Sequence, residues 1–420
     1  MIDEKKDKYA VLVSIAERGS DVEECERGLD ELERLLETAG GVCFARMIQV
    51  KESFDVRTCI GSGKVAELRE ICENNDIDLV VFDFELSPAQ IRNLEDGIGG
   101  VRVIDRSMLI LDIFALHATS GEGKLQVELA QLKYSAPRLV GHGNELSRQG
   151  GGIGSRGPGE SKLETDRRHL HERISTLEER LRELEHNREV MRSQRDRSGL
   201  MKIALVGYTN AGKSTLLNSL TGAGVLAENK LFATLDATTR KLELPSGETV
   251  LLTDTVGFVR KLPHHLVRAF RSTLDEVRYA DALLIVSDAS DPELPEHIKV
   301  TEEVIRELGA EDKPVIHVLN KSDLAPSAIS VYMPEAVATV AMSALSGEGV
   351  DELLSEIEAL LRARRRTVRL LIPYSDQAVT SALYDIYTVS DVEYTDTGVT
   401  LTAVLDERGL GRYSKYICEA

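Results

Sequence analysis

Gly207-Tyr208-Thr209-Asn210-Ala211-Gly212-Lys213-Ser214 fits the pattern Gly-x-x-x-x-Gly-Lys-Ser/Thr and follows the apolar run Lys202 to Val206. Glycines let backbone N–H groups curl around phosphate oxygens, and the helix that follows presents its positive end to them. Lys213 can then reach the terminal phosphates while Ser214 ligates magnesium. This loop implies a nucleoside triphosphate without naming the base. Asp254-Thr255-Val256-Gly257 follows the apolar run Val250 to Leu252 and fits DxxG, in which the aspartate holds magnesium through water and the glycine amide senses the γ-phosphate. Asn320-Lys321-Ser322-Asp323 names the base. A carboxylate there accepts two hydrogen bonds from guanine N1–H and the 2-amino group, which adenine cannot supply. Lys321 packs its stem over the purine, Asn320 ties loops together, and Ser343-Ala344-Leu345 offers a backbone N–H to the guanine oxygen.

Each motif follows a strand candidate, so the chain from 199 to 366 reads as a phosphate-loop domain binding guanine nucleotides. Its contact set runs from Gly207 through Thr215, then Asp254 to Gly257, Asn320 to Asp323 and Ser343 to Leu345. The segment Leu231 to Arg240 is the expected first switch, with Thr234, Thr238 or Thr239 completing the magnesium shell. Lys213 and Gly257 are expected at the γ-phosphate. Many GTPases place a water-orienting glutamine just after DxxG, whereas Phe258 stands here and cannot hydrogen-bond water. No catalytic side chain is therefore assigned; His264 and His265 follow nearby, and each reads as a surface histidine before a catalytic one. Slow intrinsic turnover is the expectation.

Around this domain the pattern changes. Residues 1–159 alternate strand-like and helix-like runs: Tyr9 to Ile15, Asp21 to Thr38, Val42 to Val50, Val65 to Asn74, Ile77 to Phe84, a helix capped at Ser87-Pro88, Val101 to Ile104, and one long helix from Ser107. Gly61-Ser62-Gly63-Lys64 lacks the spacing of a second phosphate loop and reads as a tight strand-to-helix turn. The glycine-rich run Gly150 to Glu160 forbids a regular element and suits either a linker or a close approach to a ligand. In residues 160–198, Leu163, Leu170, Ile174, Leu177, Leu181 and Leu184 form an a/d seam too short for an extended coiled coil, so a helical hairpin with the preceding helix is expected. Residues 367–420 read as a small α+β domain, with a strand at Val368 to Pro373, a helix at Ser375 to Tyr387 and a hairpin around Asp396-Thr397-Gly398. The fold class is thus α/β: an N-terminal parallel α/β domain with a helical hairpin, a central phosphate-loop domain and an α+β appendage.

Composition narrows the partners. A net charge of −19 argues against wholesale wrapping of nucleic acid. Between Gln131 and Arg168, however, basic residues outnumber acidic ones seven to four, and Arg362, Arg364, Arg365, Arg366 and Arg369 form a second basic knot. Such local patches fit either contact with part of a large RNA particle or ordinary ion pairs. The five cysteines never form Cys-x-x-Cys, so reduced thiols in a cytoplasmic protein are expected, and no run suits a membrane span or signal peptide.

Several segments together resemble the HflX family of translational GTPases. They are Phe84 to Gln90, Lys124 to Leu132, Gly152 to Glu160, Lys162 to Arg168, Phe232-Ala233-Thr234-Leu235-Asp236 and Asp254 to Phe258, and the likeness spans roughly residues 9 to 350. Ser155, Ser161 and Ala136 depart mildly from the commoner spelling. The resemblance implies that Thr234 is the switch threonine and joins Ser214 on magnesium, and that Phe232 to Asp236 belong to the GTP site. It also implies binding to the large ribosomal subunit and its rRNA, in ribosome rescue or splitting under stress, with hydrolysis stimulated by the ribosome. Arg148, Arg156, Lys162, Arg167 and Arg168 are the candidate ribosome contacts. A monomer without stable membrane association is the default. A GTP-regulated scaffold for another protein or membrane partner is the alternative, and a phosphate-loop kinase or metabolic enzyme has no reason to keep Asn-Lys-x-Asp.

Overall fold

The computed structural model describes residues 8–17, 22–51, 54–139, 158–196, 199–222, 231–232, 237–261, 271–325 and 333–418. Its N-terminal sheet has four parallel strands, β1 (Lys8–Glu17), β2 (Gly41–Lys51), β3 (Leu79–Phe82) and β4 (Arg102–Asp105), in the order β2-β1-β3-β4. Parallel strands need crossover connections, and here helices α1 (Val22–Thr38), α2 (Ser62–Asn74) and α3 (Pro88–Gly97) make them. The apolar spacing in α1 buries Leu29, Leu32, Leu35 and Leu36 on one face. The opposite sheet face packs on α2 and α3 through Val65, Leu68, Ile91 and Leu94. Helix α3 starts with a capping box: Ser87 accepts from the Gln90 amide at 3.3 Å, and the Ser87 amide donates to the Gln90 side chain at 2.9 Å. Gly61 caps α2 immediately after the Asp55–Cys59 bridge, so Gly61 to Lys64 is a loop-to-helix turn.

The single long helix expected from Ser107 is two helices, α4 (Arg106–His117) and α5 (Gly121–Leu139). Ala118 is extended (ψ 110°), and Ser120 Oγ accepts from the Gly123 amide at 2.8 Å, so a new N-terminal cap restarts the chain. The hairpin then forms between α5 and α6 (Pro158–Asp196). Leu177 is fully buried in its seam, and Arg173–Glu128, Lys133–Glu178 and Arg188–Glu122 bridge its flanks.

The central sheet runs β10 (Ala338–Ala341), β9 (Val315–Asn320), β8 (Ala282–Asp288), β5 (Lys202–Val206), β7 (Thr249–Asp254) and β6 (Thr238–Glu243). All pairings are parallel except β6 with β7. Near-continuous apolar runs explain why both faces of β5 and β8 are buried. The C-terminal sheet is antiparallel, β11 (Arg366–Pro373), β13 (Gly398–Leu405) and β12 (Thr388–Thr395), with Leu383 of the helix Gln377–Ile386 in its core. Among the described residues, no helix is long and apolar enough to cross a membrane.

Candidate functional site

In a parallel sheet the loops at the carboxyl ends of the strands converge, and here β5, β7, β8 and β9 deliver the sequence-predicted residues to one place. Between β5 and α7 (Lys213–Thr221) the backbone turns through Gly207 (φ 148°) and Gly212 (φ 95°). A Cβ at Gly207 would stand 2.1 Å from the Val286 carbonyl oxygen, and one at Gly212 would stand 2.2 Å from Asn320 Nδ2. Only glycine fits either position.

Asn320, at the end of β9, joins two loops. Its Nδ2 donates to the Ala211 carbonyl at 2.8 Å, and its Oδ1 accepts from the Ala344 amide at 2.9 Å. Lys321 is left-handed (φ 61°), and its ammonium donates to Asp288 Oδ2 at 2.7 Å. Asp323 lies exposed in the short helix Ser322–Leu324. Ser343 and Ala344 are buried beside Asn320, whereas the Leu345 side chain is 86% exposed. A cavity of about 1180 Å³ opens here, bordered by Thr209, Asn210, Asp288 and Lys321 and, across from them, by Glu31 and Arg34 of α1.

At the phosphate end, Ser214 Oγ donates to Asp254 Oδ2 at 2.6 Å, and Asp254 is fully buried. A hydroxyl and a carboxylate so close form the hard oxygen donor set that suits magnesium. Lys213 is buried and folds back to donate to the Gly207 and Tyr208 carbonyls at 3.0 and 2.8 Å. Burial pulls its ammonium down to about 8, against the opposing pull of the Asp254 carboxylate. Thr255 spends its hydroxyl on the Leu205 carbonyl at 2.6 Å, and Val256 lies in the core, so both serve the loop's shape. Phe258 is fully buried; its amide donates to Gly207 O at 3.1 Å, and its carbonyl accepts from the Thr209 amide at 2.8 Å. The residue that replaces the usual glutamine is thus a backbone staple between DxxG and the phosphate loop.

Phe232 places its buried ring edge-on against Phe114 of α4, 4.7 Å between centroids. Thr238 and Thr239 belong to β6, and Thr239 shares a 2.9 Å hydrogen bond with Thr253. Ala233, Thr234, Leu235 and Asp236 lie outside the described residues, as do Arg148, Arg156, His264, His265 and most of the glycine-rich run. Of the basic residues on α6, Arg167 and Arg168 are exposed. The second basic knot is largely paired within the chain: Arg362 with Glu358, Arg364 with Asp281, Arg365 with Glu248 and Arg369 with Glu393.

Sequence spacing missed a buried charge cluster that joins the two α/β units. Glu31 of α1 accepts from the Tyr208 hydroxyl and from Arg106; Arg106 also donates to Asp83 at 2.7 Å. From the segment after DxxG, the Arg260 amide donates to the Tyr208 hydroxyl at 2.8 Å, and the Lys261 ammonium meets Asp83 at 3.0 Å. Burial and then the Glu31 carboxylate push the Tyr208 phenol up, so it stays a proton donor. Burial alone would lower the Arg106 pKa, but Glu31 and Asp83 hold it charged. The one available signal was Arg106 itself, a charge between the apolar runs Val101 to Ile104 and Met108 to Ile110.

Comparison with known proteins accounts for nearly the whole chain. Residues 26–115 match the family described as GTP-binding GTPase N-terminal, 117–195 the GTP-binding GTPase Middle Region, 202–321 the 50S ribosome-binding GTPase and 328–412 the HflX C-terminal domain. A GTPase HflX of Caldanaerobacter subterraneus subsp. tengcongensis is 49% identical, the match covering 94% of this chain and 90% of the relative. That of Lacrimispora saccharolytica is 47% identical over 93% of this chain and 92% of its own. The Escherichia coli (strain K12) GTPase HflX is 42% identical, over 86% and 85% respectively. With the phosphate loop, DxxG and Asn-Lys-x-Asp segments gathered at one edge of its central sheet, this chain belongs to the HflX family and is a GTP-hydrolysing enzyme.

Proposed function

We propose that this GTPase binds the large ribosomal subunit, contacts its rRNA, and acts in ribosome splitting or rescue under stress, with hydrolysis stimulated by the ribosome. The observation that carries the reading is the match of residues 202–321 to a family described as a 50S ribosome-binding GTPase. Buried Phe258 supports the second half: it offers the attacking water no hydrogen bond, so a partner that orders the switches or adds a group has work to do. Exposed Arg167 and Arg168 on the hairpin, with Arg148, Arg156 and Lys162 before them, are the proposed ribosome contacts. Division at 1–159, 160–198, 199–366 and 367–420 gives the hairpin helix its own unit between the two α/β domains. The protein acts as a cytoplasmic monomer in this reading.

Ser214, and Asp254 through water, would hold magnesium, and Thr234 would complete the shell. When bound, magnesium neutralises charge on the β- and γ-phosphates. The chain's own residues do the rest. Backbone amides from Gly207 to Thr215 cradle the phosphates, Lys213 and Gly257 contact the γ-phosphate, and Asp323 reads guanine with Asn320 and Ala344 holding its loops in place.

Cosedimentation with 50S subunits in a non-hydrolysable GTP analogue tests the reading: the protein pellets with subunits in the analogue and less with GDP, and GTP turnover rises on adding ribosomes. A well-folded protein that never pellets, with turnover unchanged by ribosomes, favours the scaffold alternative. For the base, Asp323→Asn lowers GTP affinity by about 10–100-fold, the worth of a good bidentate base contact. It also shifts preference toward xanthosine triphosphate, because an amide pairs with the changed base edge. Unaltered GTP preference in a competition assay would show that Asp323 does not read the base.

A further inference from the structure

Thr209, the third residue of the phosphate loop, is 6% exposed, and its hydroxyl oxygen is buried without a hydrogen-bond partner among the described residues. Folded proteins seldom leave such a group unsatisfied, because burying a hydroxyl away from water costs free energy that nothing local returns. Packing does not explain the residue type. Valine has the same shape, fills the same space and carries no orphan oxygen. The usual local escape, a bond to a nearby backbone carbonyl, is not taken either.

What surrounds Thr209 indicates the missing partner. Its amide is fixed on the Phe258 carbonyl at 2.8 Å. A Cβ built on Gly257 would stand 2.8 Å from Thr209 Cα, 2.8 Å from its Cγ2 and 3.0 Å from Lys213 Nζ. The threonine side chain, the phosphate-loop ammonium and the DxxG glycine therefore meet around one point, and Thr209 also borders the open cavity. This is where the motifs call for a γ-phosphate, and it is where Phe258 brings no polar side chain.

We propose that the Thr209 hydroxyl contacts the substrate in the triphosphate state, donating its proton to an oxygen that GTP brings and GDP lacks: a γ-phosphate oxygen or the water that attacks it. The step is a hydrogen bond only. Water oxygen bonds to the γ-phosphorus, the bond to the β-phosphate bridging oxygen breaks with its electron pair left on GDP, the water's protons pass to the inorganic phosphate and solvent, and Thr209 stays neutral throughout. The proposal rests on the assignment of this loop to GTP, and wild-type turnover is the control that separates the two. An inactive wild type would indict that assignment, whereas an active wild type with an unaffected variant would indict Thr209 alone.

The experiment compares full-length Thr209→Val and Thr209→Ser with wild type, measuring affinity for fluorescent GDP, affinity for a non-hydrolysable GTP analogue, and the single-turnover hydrolysis rate. Thr209→Val keeps GDP affinity within about two-fold and loses about ten-fold or more in one triphosphate readout, the effect of removing a hydrogen bond to a charged group. Loss of analogue affinity assigns the contact to the γ-phosphate; loss of rate alone assigns it to the water. Thr209→Ser stays within about three-fold of wild type. The proposal is overturned if Thr209→Val matches wild type in every readout. It is equally overturned if Thr209→Ser is as impaired as Thr209→Val, or if GDP affinity falls as far as GTP affinity, since shape and not the hydroxyl would then matter.

Discussion

Lys213→Ala lowers GTP turnover by about 10²–10³-fold, the usual cost of removing one preorganised donor from developing charge. Its partners explain why so much rests on it. The ammonium sits buried on the Gly207 and Tyr208 carbonyls, 3.0 and 2.8 Å away, and burial pulls its pKa down from 10.5 to about 8. A phosphate adds negative charge to that of Asp254, so bound nucleotide raises the pKa again. The sign follows. Below pH 8 the lysine is charged before and after binding, and affinity is flat. Between about pH 8 and 10 binding must take up a proton, and affinity falls as pH rises. For the nucleotide-free protein, charging this buried lysine opposes folding below pH 8, and that cost shrinks as pH rises from 8 toward 10.5. Calorimetry at pH 9 in two buffers of different ionisation enthalpy reads the proton uptake directly. Wild type shows it and Lys213→Ala does not; identical binding heats for wild type in the two buffers would overturn the assignment.

Arg106→Ala costs about 3–5 kcal/mol of stability, because it leaves buried Glu31 without a cation and buried Asp83 with Lys261 alone. Arg106 is 2% exposed, Asp83 is fully buried and Glu31 nearly so. Lys261 remains on Asp83 after the substitution, but Glu31 keeps only the Tyr208 hydroxyl and a 3.4 Å contact from the Arg260 amide. Replacing all three charges together, with Glu31→Gln, Asp83→Asn and Arg106→Met, destabilises less than the single change, since no buried charge is left uncompensated and the half-exposed Lys261 ammonium is solvated without Asp83. Urea midpoints of the three proteins make the comparison. A single mutant losing less than about 1 kcal/mol would show that the cluster is hydrated and unimportant to the fold, and a triple mutant losing more than the single would show that the charges stabilise the fold in their own right.

The central fold was readable because its information is local. Phosphate-loop glycines, a strand-terminal aspartate and Asn-Lys-x-Asp each encode a shape within a few residues, and the parallel sheet follows from apolar runs alternating with helical ones. The break between α4 and α5 was also written locally, in Thr119-Ser120-Gly121, but the apolar spacing on either side carries across it. Spacing could not expose Glu31 as the partner of Tyr208 and Arg106, since those contacts span 177 and 75 residues. Likewise the arginines from 362 to 369 look like a free basic patch in one dimension. Arg364 and Arg365 meet carboxylates 83 and 117 residues away, Asp281 and Glu248, in the connections just before β8 and β7. Charge read along a chain overstates what is left over for a partner.

The separation between Glu31 and Tyr208 also sets an order of events during synthesis. At about 5–20 residues per second, Tyr208 leaves the peptidyl-transferase centre about 10–35 s after Glu31. Asp83 and Arg106 appear well within that interval, and the four-stranded sheet closes through contacts of short sequence range. Glu31, Asp83 and Arg106 can thus pair while the rest of the chain is still inside the exit tunnel or unmade. The nascent phosphate loop then meets a finished, charged surface and is completed against it. A chain released before Lys261 would carry Glu31 and Asp83 already neutralised in part by Arg106, and would lack both the Lys261 tether and the strands β8 and β9 against which the phosphate loop packs.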